Sequence, residues 1–256
     1  MDKAIEIILM ALFGLLTGSF MNVVVYRVPR GIRDENAPLS NIAWPGSCCP
    51  QCQHSIRYHD NVPLLSWLWL KGRCRDCQAR ISPRYPLTEG ICGLVFALMT
   101  SLFPLLPESL AICLLFWFLL ALTQIDAQHC LLPDKLTLPL LWLGLLYHCF
   151  FMGIDLQDAV LGAIAGYLTL WLVYQAFRLL AGKEGMGFGD FKLLAALGAW
   201  CGWQALPGIL LLSSVLALIY ALGRLIFNGD KQAHIAFGPW LSIAGWMSFL
   251  WQTWNG

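Results

Sequence analysis

The sequence predicts an all-α polytopic membrane protein, about eight transmembrane helices with a small cytoplasmic zinc-ribbon-like loop module. Three observations predict it. Hydrophobic residues fill 58% of the 256 positions and charged residues only 12%, about half the charged share of a soluble domain, and mean hydropathy is +0.65. Apolar runs recur at lengths near the roughly 17–25 residues that cross a bilayer. A single long polar interval separates the first two runs, and it holds two CxxC pairs. A net charge of +1 lacks the basic surface that nucleic-acid binding requires, which excludes that class.

The apolar segments fall at about 4–26, 88–103, 108–125, 136–152, 158–180, 190–203, 206–226 and 237–254. The first reads as a retained span and not a signal peptide, because its apolar stretch continues to Val25 with no small-residue cleavage site behind it. The sixth is short, and its boundary with the seventh is soft. No internal repeat stands out. The expected organisation is a first transmembrane helix (1–27), a cytoplasmic four-cysteine module (28–86) and a polytopic membrane domain of about seven helices (87–256).

Orientation follows from the basic residues. Nine of the sixteen Lys and Arg lie between Arg27 and Arg84. Lys135, Arg178, Lys183, Lys192, Arg224 and Lys231 flank the other loops on that side of an eight-span chain, and only Lys3 falls opposite. The bias places the large loop and the stretch GMGFGD (Gly185 to Asp190) at the cytoplasmic face.

In the large loop, CCPQC ends at Cys52 and CRDC runs from Cys74 to Cys77, so 21 residues separate the pairs. That spacing resembles a zinc ribbon, slightly lengthened. Cys49, Cys52, Cys74 and Cys77 are the expected ligands of a closed, structural Cys₄ site; Cys48 makes the register ambiguous, and Cys49 keeps the CxxC spacing. A pair of disulfides or a redox switch is the alternative, disfavoured in a reducing compartment. A module this small has little core, so a metal would supply folding energy. His54 and His59 read as loop hydrogen-bonders. Cys92, Cys113, Cys130, Cys149 and Cys201 stand singly and read as small hydrophobes.

Two aspartates carry the chemistry. Asp126 ends the third segment and Asp190 begins the sixth, both at the cytoplasmic edge in the eight-span reading, so they meet if those helices pack together. Ionisable residues in or beside spans are costly and point to function. Asp190 also reads as a helix cap. Asp126 does not, because a carboxylate at a helix C-terminus faces the negative end of the dipole. Asp134, after Pro133, reads as a cap. Two carboxylates sharing a site hold a proton between them, which suits general acid–base hydrolysis: one activates a water while the other protonates a carbonyl oxygen. Gly187 and Gly189 are expected to support the motif by adopting angles closed to other residues and by admitting a second backbone, such as an extended peptide. A phosphate-cradling loop is a weak alternative, since no strand precedes the glycines and no GKS or GKT follows.

These stretches resemble the type IV prepilin peptidases, membrane aspartyl proteases of the GxGD type, over most of the chain. GSFMNVVVYRVP (Gly18 to Pro29), the cysteine loop from Cys49 to Glu89, DAQHCLLPD (Asp126 to Asp134) and GMGFGD each match a motif of that family. The resemblance implies that Asp126 and Asp190 are the catalytic pair. It implies that the substrates are prepilins or pseudopilins of type IV pili or type II secretion, met at the bacterial inner membrane. It also implies a second activity, N-methylation of the new N-terminal residue with S-adenosylmethionine as donor. No Rossmann GxGxxG is present; the donor site is expected between the basic loop and the membrane near Glu89, a residue that reads equally well as a first-turn acid. Two competing readings are a proton- or metal-coupled transporter with a zinc-binding regulatory loop and a membrane-anchored zinc adaptor. The first expects midplane carboxylates and repeats, and the second leaves Asp126 and the glycines without a purpose.

Overall fold

The computed structural model describes residues 2–33, 42, 46–103, 106–151, 153–182, 187–228 and 236–255. Gly185 and Met186 of the GMGFGD stretch, Lys183 and Lys231 of the charge count, and Met152 at the end of the fourth segment lie outside the described residues, as do 34–41 and 43–45 of the module interval. The described α-helices are α1 (Lys3–Arg33), α2 (Leu65–Trp69), α3 (Arg84–Leu102), α4 (Leu106–His129), α5 (Asp134–Phe151), α6 (Leu156–Ala181), α7 (Phe188–Cys201), α8 (Leu206–Asn228) and α9 (Gly238–Asn255). Apart from the short α2, they follow the eight predicted segments one for one. Five of them, α1, α3, α4, α6 and α8, are long and apolar enough to cross a membrane.

The first span is longer than predicted. The helix passes through Pro29, which interrupts its hydrogen bonding, and ends at Arg33. Contacts hold this extension: Arg30 lies over the Tyr26 ring at 3.6 Å, and the buried Arg27 donates to the Gly46 carbonyl at 3.1 Å.

The chain divides into two compact units, Met1–Trp117 and Phe118–Gly256, with α4 contributing to both. In the first, α1 lies directly on α3. A Cβ at Gly14 would stand 2.6 Å from the Cys92 carbonyl oxygen, and one at Gly18 would stand 2.9 Å from the Glu89 Cα. Two small residues four apart let backbones approach to this distance in a membrane, where packing replaces the hydrophobic drive. Trp117 Nε1–H donates to the Thr17 carbonyl at 2.9 Å, adding the first half of α4.

In the second unit α7 is central. Phe191 and every residue from Leu193 to Cys201 are buried. Fourteen residues reach only about 21 Å, short of the roughly 30 Å hydrocarbon core. This helix is therefore enclosed by its neighbours. Gly162 and Gly166 of α6 meet α7 backbone at Gly198 and Leu194, and Gly245 of α9 meets Leu197. Trp200 Nε1–H donates to the Leu140 carbonyl of α5 at 2.8 Å, and its own carbonyl accepts from His148 Nε2 at 2.9 Å. Ile154 N–H donates to His148 Nδ1, which places the ring proton on Nε2.

Candidate functional site

Asp126 lies within α4, one turn before its end, with its side chain buried. The dipole conflict expected there has a structural answer. The backbone N–H of Gly238, the first residue of α9, donates to Asp126 Oδ2 at 3.0 Å. First-turn amides of a helix lack intrahelical partners and carry its positive end, so α9 offsets the unfavourable terminus of α4. A Cβ at 238 would stand 2.6 Å from that same oxygen, so only glycine permits the contact. Sequence reasoning missed Gly238; a lone FGP at the head of the last apolar segment carries no signal before the fold is known.

Asp190 is the third residue of α7 and does not cap it. Gly187 holds the N-cap position, and no side chain makes the cap hydrogen bond. Asp126 and Asp190 are brought to one neighbourhood through Gly238 and Leu132. Leu132, in the link between α4 and α5, is the spacer of this site. It sits 2.7 Å from where a Gly189 Cβ would be and 3.2 Å from where a Gly238 Cβ would be.

The two motif glycines therefore differ. Gly189 is required by close approach of the Leu132 side chain, not of a second backbone, and its own backbone is helical. Gly187 has ordinary angles, φ −79 and ψ 144, and no described residue lies within 4 Å of a Cβ there, so the expected special backbone is absent. Gly189→Ala should lower the reaction of this site by about 10²-fold, the cost of a misplacement near 1 Å, whereas Gly187→Ala should stay within about twofold of wild type. Parallel initial-rate assays of the two variants check this.

Asp134 is the first residue of α5 and not its cap. Its two oxygens accept from Lys192 Nζ at 2.6 and 2.8 Å, with the aspartate side chain 55% exposed. Exposed pairs contribute about 0–1 kcal/mol, so Asp134→Ala should leave most of the activity and a melting temperature close to wild type.

In the first unit, Cys49, Cys52, Cys74 and Cys77 gather with all four sulfurs within 4.8 Å of one another. Cys48 lies outside the group. The two turns repeat at an offset of 25 residues, a local duplication in a chain where no repeat was expected. Cys49 N–H donates to the His54 carbonyl and Cys74 N–H to the Ala79 carbonyl. Gln53 N–H returns to the Cys49 carbonyl and Gln78 N–H to that of Cys74. Gln53 and Gln78 both take φ 56.

The Cys49–Cys77 sulfur separation is 3.8 Å, close to the about 3.8 Å edge of a tetrahedron with 2.3 Å zinc–sulfur bonds, so the group fits that metal. Burial pushes the Cys49 thiol up, but the Cys52 and Gln51 backbone amides outweigh it and bring it to about 7. At Cys52 the His54 amide acts downward, yet desolvation and the neighbouring sulfurs raise the thiol to about 12. Four sulfurs this close need a cation before they can all be thiolates. Asp60 accepts from Arg75 Nε and Nη2 at 2.7 and 2.6 Å, tying the intervening loop to the second turn. The guanidinium holds the Asp60 carboxyl below its ordinary range, so the pair is complete above that range and is lost as pH falls through the lowered value. Of the lone cysteines, Cys92, Cys113 and Cys201 are buried as expected, whereas Cys130 and Cys149 are exposed.

A cavity of about 400 Å³ opens beside this centre, between the end of α1, the cysteine turns and the start of α3; Asn22, Arg27, Asp60, Trp67 and Glu89 are among its lining residues. Glu89 is the sixth residue of α3 and not a first-turn acid. Its Oε2 accepts the Leu64 N–H at 2.9 Å, bracing a turn in which Leu64 takes φ 59.

A helical membrane chain with two carboxylates brought together from separate helices, and with a four-thiol module, defines the class. Its relatives define the family. The profile described as Bacterial Peptidase A24 N-terminal domain matches residues 12–103, and that of the Type IV leader peptidase family matches 113–222. Similar chains include prepilin leader peptidase/N-methyltransferases of Aeromonas salmonicida (51% identical, 95% of this chain and 90% of the relative) and Stutzerimonas stutzeri (47%, 93% and 88%). Another, of Dickeya chrysanthemi, is 47% identical over 96% of this chain and 92% of its own. The chain belongs to the type IV leader peptidase family. No solved structure matches it.

Proposed function

We propose that the protein removes the short leader from prepilins or pseudopilins and N-methylates the residue exposed. What supports the first activity is that Leu132 packs against both Gly189, beside Asp190, and Gly238, whose amide holds Asp126. One carboxylate takes a proton from a water, and that water attacks the scissile carbonyl carbon. The other carboxylate protonates the carbonyl oxygen. The tetrahedral intermediate then collapses, and the leaving amine departs with a proton returned from the pair. Gly189 keeps Asp190 at the Leu132 spacer. The division into 1–27, 28–86 and 87–256 separates an anchoring span, the metal module and the peptidase part. The basic residues orient the cysteine module and both aspartates toward the cytoplasm, at the inner membrane of a bacterium.

The four sulfurs suit a structural zinc, which would supply folding energy to the module. The cavity beside it suits the methyl donor. Its aromatic faces, Tyr26, Trp67 and Tyr85, suit the sulfonium of S-adenosylmethionine and its arginines suit that molecule's carboxylate; when bound, the donor would supply an electrophilic methyl group. Glu89 contributes by holding the cavity wall through Leu64. The transporter reading loses ground because Asp126 is held by the first amide of α9 and Asp190 lies in the first turn of α7, whereas transporter sites favour the midplane.

The test is wild-type protein in proteoliposomes with a prepilin and S-adenosylmethionine, the pilin N-terminus being followed by mass spectrometry. The expected product has lost its leader and gained 14 Da, about one methylene. Trimmed but unmethylated product would remove the second activity, and an untouched prepilin would remove both.

A further inference from the structure

Helix α2 has two unlike faces. Ser66, Trp67 and Leu70 line the cavity, and Trp67 Nε1–H donates inward to the Ile81 carbonyl at 3.3 Å. Leu65, Leu68 and Trp69, at i, i+3 and i+4, form the other face and are 66%, 63% and 83% exposed. Three large apolar side chains on five residues make a contiguous patch of the kind that marks an interaction surface. They are followed by the exposed cations Lys71 and Arg73.

The position of α2 against the membrane follows from α3. Leu64, immediately before α2, is hydrogen-bonded to Glu89, and its Cδ2 lies 3.8 Å from where a Gly90 Cβ would stand. Glu89 and Gly90 are on the second turn of α3, a helix apolar enough to span. At 1.5 Å per residue this is about 8 Å in from the helix start, the depth of the interfacial region. The outward stripe of α3 begins at the same level, with Leu87 61% and Leu94 68% exposed. Leu64, at the head of the α2 patch, thus packs beside the exposed apolar stripe of α3. A tryptophan and aliphatic side chains beside lysine and arginine are the composition of an interfacial anchor facing anionic headgroups.

We propose that α2 docks on the lipid bilayer, with Leu65, Leu68 and Trp69 seated at the acyl–headgroup boundary and Lys71 and Arg73 toward anionic phosphates. The cavity wall is then held from outside by the membrane and from inside by Glu89. This surface is independent of whether the cavity takes a methyl donor.

The experiment places a photoreactive benzophenone side chain in turn at Leu65, Leu68 and Trp69, and at exposed Gln51 as a control. The full chain is reconstituted in vesicles of phosphatidylethanolamine and phosphatidylglycerol. Illumination followed by mass spectrometry of the peptides that carry each probe should show phospholipid adducts at the three α2 positions, at least tenfold above Gln51. Adducts to protein, whether this chain, a second copy or an added prepilin, would overturn the proposal. So would no adduct at all three positions, or a lipid yield at Gln51 equal to theirs.

Discussion

Gly238→Ala is expected to cut leader removal by about 10²-fold or more while leaving methylation of an already trimmed pilin at its wild-type rate. The added Cβ would fall 2.6 Å from Asp126 Oδ2, inside any real contact distance. The neighbouring Leu132 Cδ2, at 3.2 Å from the same point, leaves little room to yield. The carboxylate must turn away, losing the 3.0 Å hydrogen bond from Gly238 and its register with Asp190. A displacement of about 1 Å near the reacting groups is enough for a loss of that size. Methylation serves as the folding control. If both activities fell together, the substitution would have disturbed the fold; if neither fell, Gly238 would have no part in holding Asp126.

Cys74→Ser should abolish metal binding. Wild-type protein is expected to carry about one zinc per chain, and the variant none, as read by elemental mass spectrometry on purified protein. The apparent binding energy of a structural zinc is roughly 10 kcal/mol or more, far beyond what a module this size gains from its core. Limited proteolysis should therefore open the segment between residues 46 and 82 in the variant only. Leader removal should persist, because the carboxylate pair lies in the other compact unit. Wild-type protein purified without zinc would contradict the metal reading.

What the sequence carried, it carried through patterns that physical chemistry constrains locally. Eight apolar runs became eight helices, five of them long and apolar enough to cross a membrane, because length and hydropathy decide which segments leave water. The CxxC spacing picked Cys49 over Cys48 because a metal needs two sulfurs on one tight turn. Asp126 stood out because its helix end opposed its charge, and the relief for that conflict came from 112 residues away, beyond any local pattern. The same distance hid Gly238. Gly187 and Gly189 looked alike in sequence, and only the position of Leu132 separates them. The extension of α1 past Pro29 rests on contacts of Arg27 and Arg30, whereas proline alone signals an ending. Helix α2 was hidden inside the module because PLLSWLW is too short for a helical period to be read from it.

The central claim is that Asp126 and Asp190 together cut the prepilin. Asp126→Asn and Asp190→Asn keep the size of each side chain, and an amide oxygen at 126 can still accept the Gly238 N–H, while each loses its ability to exchange a proton. Each variant, in proteoliposomes, is given intact prepilin and, separately, trimmed pilin with S-adenosylmethionine, and the N-termini are read by mass spectrometry. Both variants should leave the leader in place, at least about 10³-fold below wild type as general acid–base groups require, and still methylate the trimmed pilin. Leader removal at the wild-type rate by either variant would contradict that claim.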